Sequence, residues 1–80
     1  MLKKLIYIDT VEKVQELVGA ATSASFEVDI LTDTFTVNAK SILGIFSLDR
    51  SQPVEMAIDV DENDAGLAAF LERIGKYIVD

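Results

Sequence analysis

Apolar positions along this 80-residue chain alternate between the twofold spacing of a strand and the 3.6-residue spacing of a helix. Leu5, Ile6, Tyr7 and Ile8 make residues 3–8 a β-rich run. Asp9 and Thr10 are both good N-cap residues, and Asp9 with Glu12 forms a capping-box-like pair. Val11, Val14, Leu17, Val18 and Ala21 then share one helical face, opposite Glu12, Lys13, Gln15 and Glu16. "TSAS" (22–25) ends that helix. Phe26, Val28 and Ile30 alternate with polar residues, as a strand with one buried face does. "LTDT" (31–34) predicts a hairpin turn, with Phe35 and Val37 beginning the returning strand.

Ser41 to Leu48 predicts a short helix, and "DRSQP" a loop ending at Pro53. Val54, Met56, Ile58 and Val60 alternate with Glu55, Ala57 and Asp59 as another strand. Asp61 is the expected cap of a last helix, whose buried stripe is Leu67, Phe70, Leu71, Ile74 and Ile78. The order is βαββαβα. With no internal repeat, low-complexity tract or linker, the pattern implies one two-layer α+β domain over residues 1–80.

One segment exceeds what a one-sided helix needs. "VNAKSILGIFSLD" (37–49) places Ile42, Leu43, Ile45, Phe46 and Leu48 in the seven positions after Ser41. A short helix hides about half its surface against a sheet. These residues span more than one face, so apolar surface is expected near the helix start. Packing on both sides or a homodimer would bury it. The other reading is a hydrophobic docking patch beside a polar switch at Ser41.

Composition narrows the chemistry. Half the residues are hydrophobic, as in a folding sequence, and there is no cysteine and no histidine. Disulfides, thiolate metal sites, imidazole bases and phosphohistidine are thereby excluded. "DVDENDAG" gives Asp59, Asp61 and Asn63 the spacing of a calcium loop, but Asp64 stands where that loop needs glycine and Phe70 where it needs glutamate. Carboxylates at a helix start are the simpler account. Lys40 and Ser41 are sequence neighbours, which rarely aim their side chains at each other, and no phosphate-cradling glycine loop exists. No enzyme activity and no cofactor are expected. The net charge of −7 and the scattered lysines at 3, 4, 13, 40 and 76 argue against direct nucleic-acid binding. "MLKKLIYID" has too short an apolar run for a signal peptide or membrane span, so no membrane insertion and a cytoplasmic setting are expected.

The excess segment resembles a known family. "VNAKSILGIFSL" is similar to the central segment of HPr, the small phosphocarrier of the bacterial sugar phosphotransferase system, whose pattern reads approximately V-N-x-K-S-I-M-G-[VLI]-M-S-L. Val37, Asn38, Lys40, Ser41, Ile42, Gly44, Ser47 and Leu48 match it. "DENDAGLAAFLERI" resembles the family's acidic-capped last helix through Asp61, Glu62 and Ala65. The resemblance runs from about Phe26 to the C-terminus. It implies an open-faced β-sandwich, a four-stranded antiparallel sheet with three helices on one face.

The family's phosphoacceptor histidine sits in a G-[IL]-H-A-R-P-A motif, where this chain has "YIDTVEKVQ". Aligned back from Ser41 without gaps, Thr10 falls at the histidine position and Glu12 at the arginine position. A hydroxyl cannot replace imidazole as a reversible high-energy phosphoryl carrier, and Glu12 repels the phosphate an arginine would stabilise. The resemblance therefore implies an HPr-like fold without the phosphocarrier site. In many Gram-positive bacteria a kinase phosphorylates the serine of the K-S-I motif, and the product binds a transcriptional regulator of carbon catabolite repression. The histidine-lacking relative Crh retains only that role. Carried over, Ser41 becomes the phosphorylation candidate. Lys40, Ile42, Leu43, Phe46 and Ser47 become the partner-contacting surface for a kinase, a regulator or a sugar-system enzyme. An unphosphorylated interaction or dimerisation module stays open beside it.

Overall fold

The computed structural model describes residues 1–79. Strand β1 (Leu2–Ile6) leads into helix α1 (Val11–Ser23), followed by the hairpin of β2 (Glu27–Leu31) and β3 (Thr36–Asn38). A one-and-a-half-turn helix α2 (Ile42–Phe46), strand β4 (Val54–Asp59) and helix α3 (Ala65–Ile74) complete the series. The strands form one antiparallel sheet in the order β1-β4-β2-β3.

Period-two alternation sorts the sheet into two faces. Ile6, Val28, Ile30, Val54, Met56 and Ile58 are buried on one face with Val14, Leu17, Ile45, Leu67, Phe70 and Ile74 from the helices. The other face carries Lys3, Leu5, Glu27, Glu55 and Asp59, exposed or half-buried. This is the expected α+β open-faced sandwich, with three helices covering one face. Phe26 and Phe70 meet edge to face, with ring centroids 5.5 Å apart, and join the start of the hairpin to α3.

Several boundaries differ from the expected ones. Thr10 caps α1 by accepting from the Lys13 N–H at 3.2 Å. The residue at the capping-box position is thus Lys13, so Asp9 and Glu12 form no box; Asp9 pairs instead with Lys13 Nζ at 2.7 Å. The hairpin turn is Thr32–Phe35, because Leu31 still pairs with Thr36. Thr32 Oγ1 accepts from the Phe35 N–H at 3.1 Å inside that turn. The last helix starts three residues later than expected, with Asp64 as cap and Asp61 accepting from Asn63 in the preceding turn. It also ends earlier. Ile78 leaves the helical stripe after a 3₁₀ turn (Gly75–Tyr77) and bridges Ile6 on the free edge of β1. Tyr7 N–H donates to Tyr77 O, and Val79 N–H to Leu5 O, each at 2.9 Å.

Candidate functional site

The segment 37–49 is built around an anchored turn. Val37 and Asn38 end β3, and the Asn38 carbonyl accepts from Ser41 N–H at 2.9 Å while its side-chain Oδ1 accepts from Lys40 N–H at 2.9 Å. Ala39, fully buried, pins this turn to the core. Ser41 then caps α2, its Oγ accepting from Gly44 N–H at 3.2 Å. Gly44 allows that approach, because a Cβ there would stand 2.9 Å from Ser41 Oγ. At the other end Ser47 Oγ donates to the Gly44 carbonyl at 2.6 Å, so both serine hydroxyls serve one short helix.

Burial divides the apolar residues of α2. Ile45 is fully buried, and Leu48 nearly so. Ile42 lies at the rim, whereas Leu43 is 81% exposed. Phe46 is half-buried beneath the Arg50 guanidinium, 5.1 Å from its ring centroid. The expected apolar surface at the start of α2 is therefore present and consists mainly of Leu43 and the edge of Ile42. Ser41 is exposed beside them, and the first turn of α2 holds no acidic residue.

Lys40 does not lean toward Ser41. Its ammonium reaches Glu27 Oε2 at 3.4 Å, and Asn38 Nδ2 donates to Glu27 Oε1 at 2.8 Å. These two donors, the amide foremost, hold the Glu27 carboxyl below its usual range. Both side chains of the ion pair are well exposed, so its strength is that of a surface pair.

The positions aligned with the phosphocarrier motif lie at the start of α1. Thr10 Oγ1 is occupied as the cap, and Glu12 is exposed in the first turn. The nearby cation, Lys13, is held by Asp9 and lies 5.1 Å from the Tyr7 ring centroid and 5.8 Å from that of Tyr77. Its hydrogen bond to Asp9 depresses the Asp9 pKa and raises that of Lys13. Among the described residues, no group of three or more acidic, histidine or cysteine side chains is placed to hold a metal ion. Nor is any described helix long and apolar enough to cross a membrane.

Arg50 was not singled out from the sequence, where it reads as one residue of a polar loop. Its Nη1 donates to the Ile8 carbonyl at 3.0 Å, and its Nε is buried without a partner among the described residues. It thereby ties Phe46 of α2 to the connection before α1, joining the two parts of the candidate site. No periodicity signals such a contact, because it links residues 42 positions apart.

Comparison with known proteins agrees with this architecture. The family described as "PTS HPr component phosphorylation site" matches residues 12–79. The chain belongs to that family, and is thus related to the phosphotransferase system. Among solved structures, the crystal structure of HPr-C-His from Thermoanaerobacter tengcongensis is similar at a TM-score of 0.69 and 27% identity. The match covers 94% of this chain and 97% of that one. Comparison with curated proteins yields no match.

Proposed function

We propose that this chain is a single-domain, non-catalytic, Crh-like regulator, acting through phosphorylation of Ser41 and an adjoining hydrophobic patch rather than through phosphohistidine transfer. The observation that carries the reading is the pairing of an exposed Ser41 hydroxyl with Leu43 at 81% exposure. A phosphate there adds about −1.5 to −2 charges to a turn with no acidic residue of its own. Gly44 N–H, already donating to Ser41 Oγ, is a ready donor for it. Lys40 would have to exchange Glu27 for the phosphate, a small barrier for an exposed pair. The partners under this reading are a kinase and a regulator or sugar-system protein that recognises phosphoserine beside an apolar knob.

The test is incubation with an HPr-type kinase and ATP, followed by intact-mass measurement. A single added phosphate, abolished by Ser41→Ala, is expected. No addition under conditions that modify a genuine HPr would overturn the reading. Phosphoenolpyruvate with the upstream transferase should leave no acid-labile phosphate, since the chain has no histidine.

A second reading is an interaction or dimerisation module without phosphorylation, favoured by the same exposure of Leu43. Sedimentation at several concentrations separates it. Self-association dissolved by Leu43→Asp supports this second reading. Leu43 is a better probe than Phe46, which is half-buried under Arg50.

A further inference from the structure

At the end of the sheet away from Ser41, a groove of about 880 Å³ runs between the β2–β3 turn and the loop that enters β4. Its apolar lining includes Leu5, Leu31, Phe35 and Pro53 above the buried Leu48 and Val54, with Phe35 62% and Leu5 42% exposed. Strand register explains the layout. Leu5 and Leu31 both pair with Glu55, which puts an apolar–acidic–apolar row across three neighbouring strands on the open face. With strands about 4.8 Å apart, the two leucines flank that carboxylate at about 10 Å from each other.

The charge around this groove is one-sided. Asp33, Asp49 and Glu55 line it, and no lysine or arginine does. Lys3 approaches Glu55 to 3.7 Å from outside, but both side chains stay well exposed. Asp49 is held ionised by Ser51, whose hydroxyl and backbone N–H both donate to it. A second copy of a chain with net charge −7 would bring like charge to an acidic rim, and a phosphate-bearing surface would do the same. The complementary occupant has apolar side chains for the leucines and Phe35, and cations for the carboxylates.

We propose that this groove docks a segment of a partner protein that alternates apolar and cationic residues, as a second interaction surface apart from the α2 patch. The groove includes none of Lys40, Ser41, Ile42, Leu43 or Phe46; Ser47 alone lies at the boundary of the two surfaces. The proposal does not depend on phosphorylation of Ser41.

The test is titration of the isotope-labelled full chain with a short synthetic peptide alternating lysine and leucine, with a glutamate–leucine peptide as control, followed by backbone amide shifts. Shifts centred on Leu5, Phe35, Gln52 and Glu55 are expected with the lysine peptide only. Phe35→Ala should weaken binding about tenfold, as loss of a central aromatic anchor does. Ser41→Ala should leave it unchanged. Phe35 is exposed at a turn, so the variant keeps its fold, and the amide spectrum verifies this. Three results would overturn the proposal. The first is shifts centred on Leu43 or spread over the surface, and the second is equal response to the acidic peptide or no loss with Phe35→Ala. The third is concentration-dependent movement of the groove amides without peptide, which would assign the groove to a second copy of the chain.

Discussion

Gly44 and Gly75 meet opposite surroundings, although both stand in right-handed helical turns. Replacing glycine by alanine in such backbone gains about 0.4–1 kcal/mol by restricting the unfolded chain. At Gly75 nothing among the described residues lies within 4 Å of the added Cβ, so Gly75→Ala should raise the urea midpoint. At Gly44 the Cβ would press on Ser41 Oγ at 2.9 Å and approach Val37 Cβ at 3.4 Å. The cap that is then disturbed is worth about 1 kcal/mol, so Gly44→Ala should be neutral or destabilising and should slow any modification of Ser41. A midpoint above wild type for Gly44→Ala would show that the hydroxyl has room to move. Residues 41 and 44 were legible in the sequence as part of one motif. Their steric dependence was not, since it requires knowing that the hydroxyl turns back over the helix.

The elements themselves follow from periodicity, and their ends do not. Every expected strand and helix is present because alternation and helical spacing report which face is buried, and one core satisfies them all. The N-caps illustrate the limit. Asp9 and Thr10 are both cap-forming residues before α1, as Asp61 and Asp64 are before α3. The winner depends on where the helix axis must lie to bury Val14 or Phe70, a tertiary condition. Losing the cap, Asp9 became the partner of Lys13. Because the folded Asp9 pKa lies below its ordinary 3.8, its contribution is present above that value and is lost as pH falls through the depressed one. The Lys13 contribution, from a pKa raised above 10.5, is present below that value and is lost as pH rises through the raised one. The difference in Tm between wild type and Asp9→Asn should therefore be clear at neutral pH and close in acid. A gap that persists in strong acid would mean that Asp9 stabilises α1 without its charge.

For the whole molecule, the unexpected feature is the return of Tyr77–Val79 to β1. Ile74 and Ile78 are four residues apart, so helical periodicity accommodates both equally well. Only the pairing of Ile78 with Ile6 and the hydrogen bonds of Tyr77 and Val79 show that the chain has left α3 to cover a sheet edge. An uncovered edge invites pairing with another chain. Truncation after Lys76 should cost about 2 kcal/mol or more through lost burial and hydrogen bonds. It should also introduce concentration-dependent association, visible by sedimentation alongside a lowered Tm. A truncated chain that remains monomeric would show that the edge needs no cover. The candidate site was legible to a similar degree. Segment 37–48 and the acidic-capped last helix carry the resemblance to the family, whereas the pairing of Lys40 with Glu27 and the Arg50 link are contacts across the fold.

The same return has a consequence for how the chain matures. β1 precedes the other strands of the sheet, yet its neighbour is β4 (Val54–Asp59) and its outer cover is Tyr77–Val79. While a ribosome is still delivering residues, the β2–β3 hairpin and α1 have local partners, but Leu2–Ile6 has none. Pairings of such long sequence separation are slow to form, so Leu2–Ile6 stays unpaired until β4 has been made. The chaperone-sensitive interval for this strand therefore runs from its own synthesis to that of β4 and the Tyr77–Val79 cover.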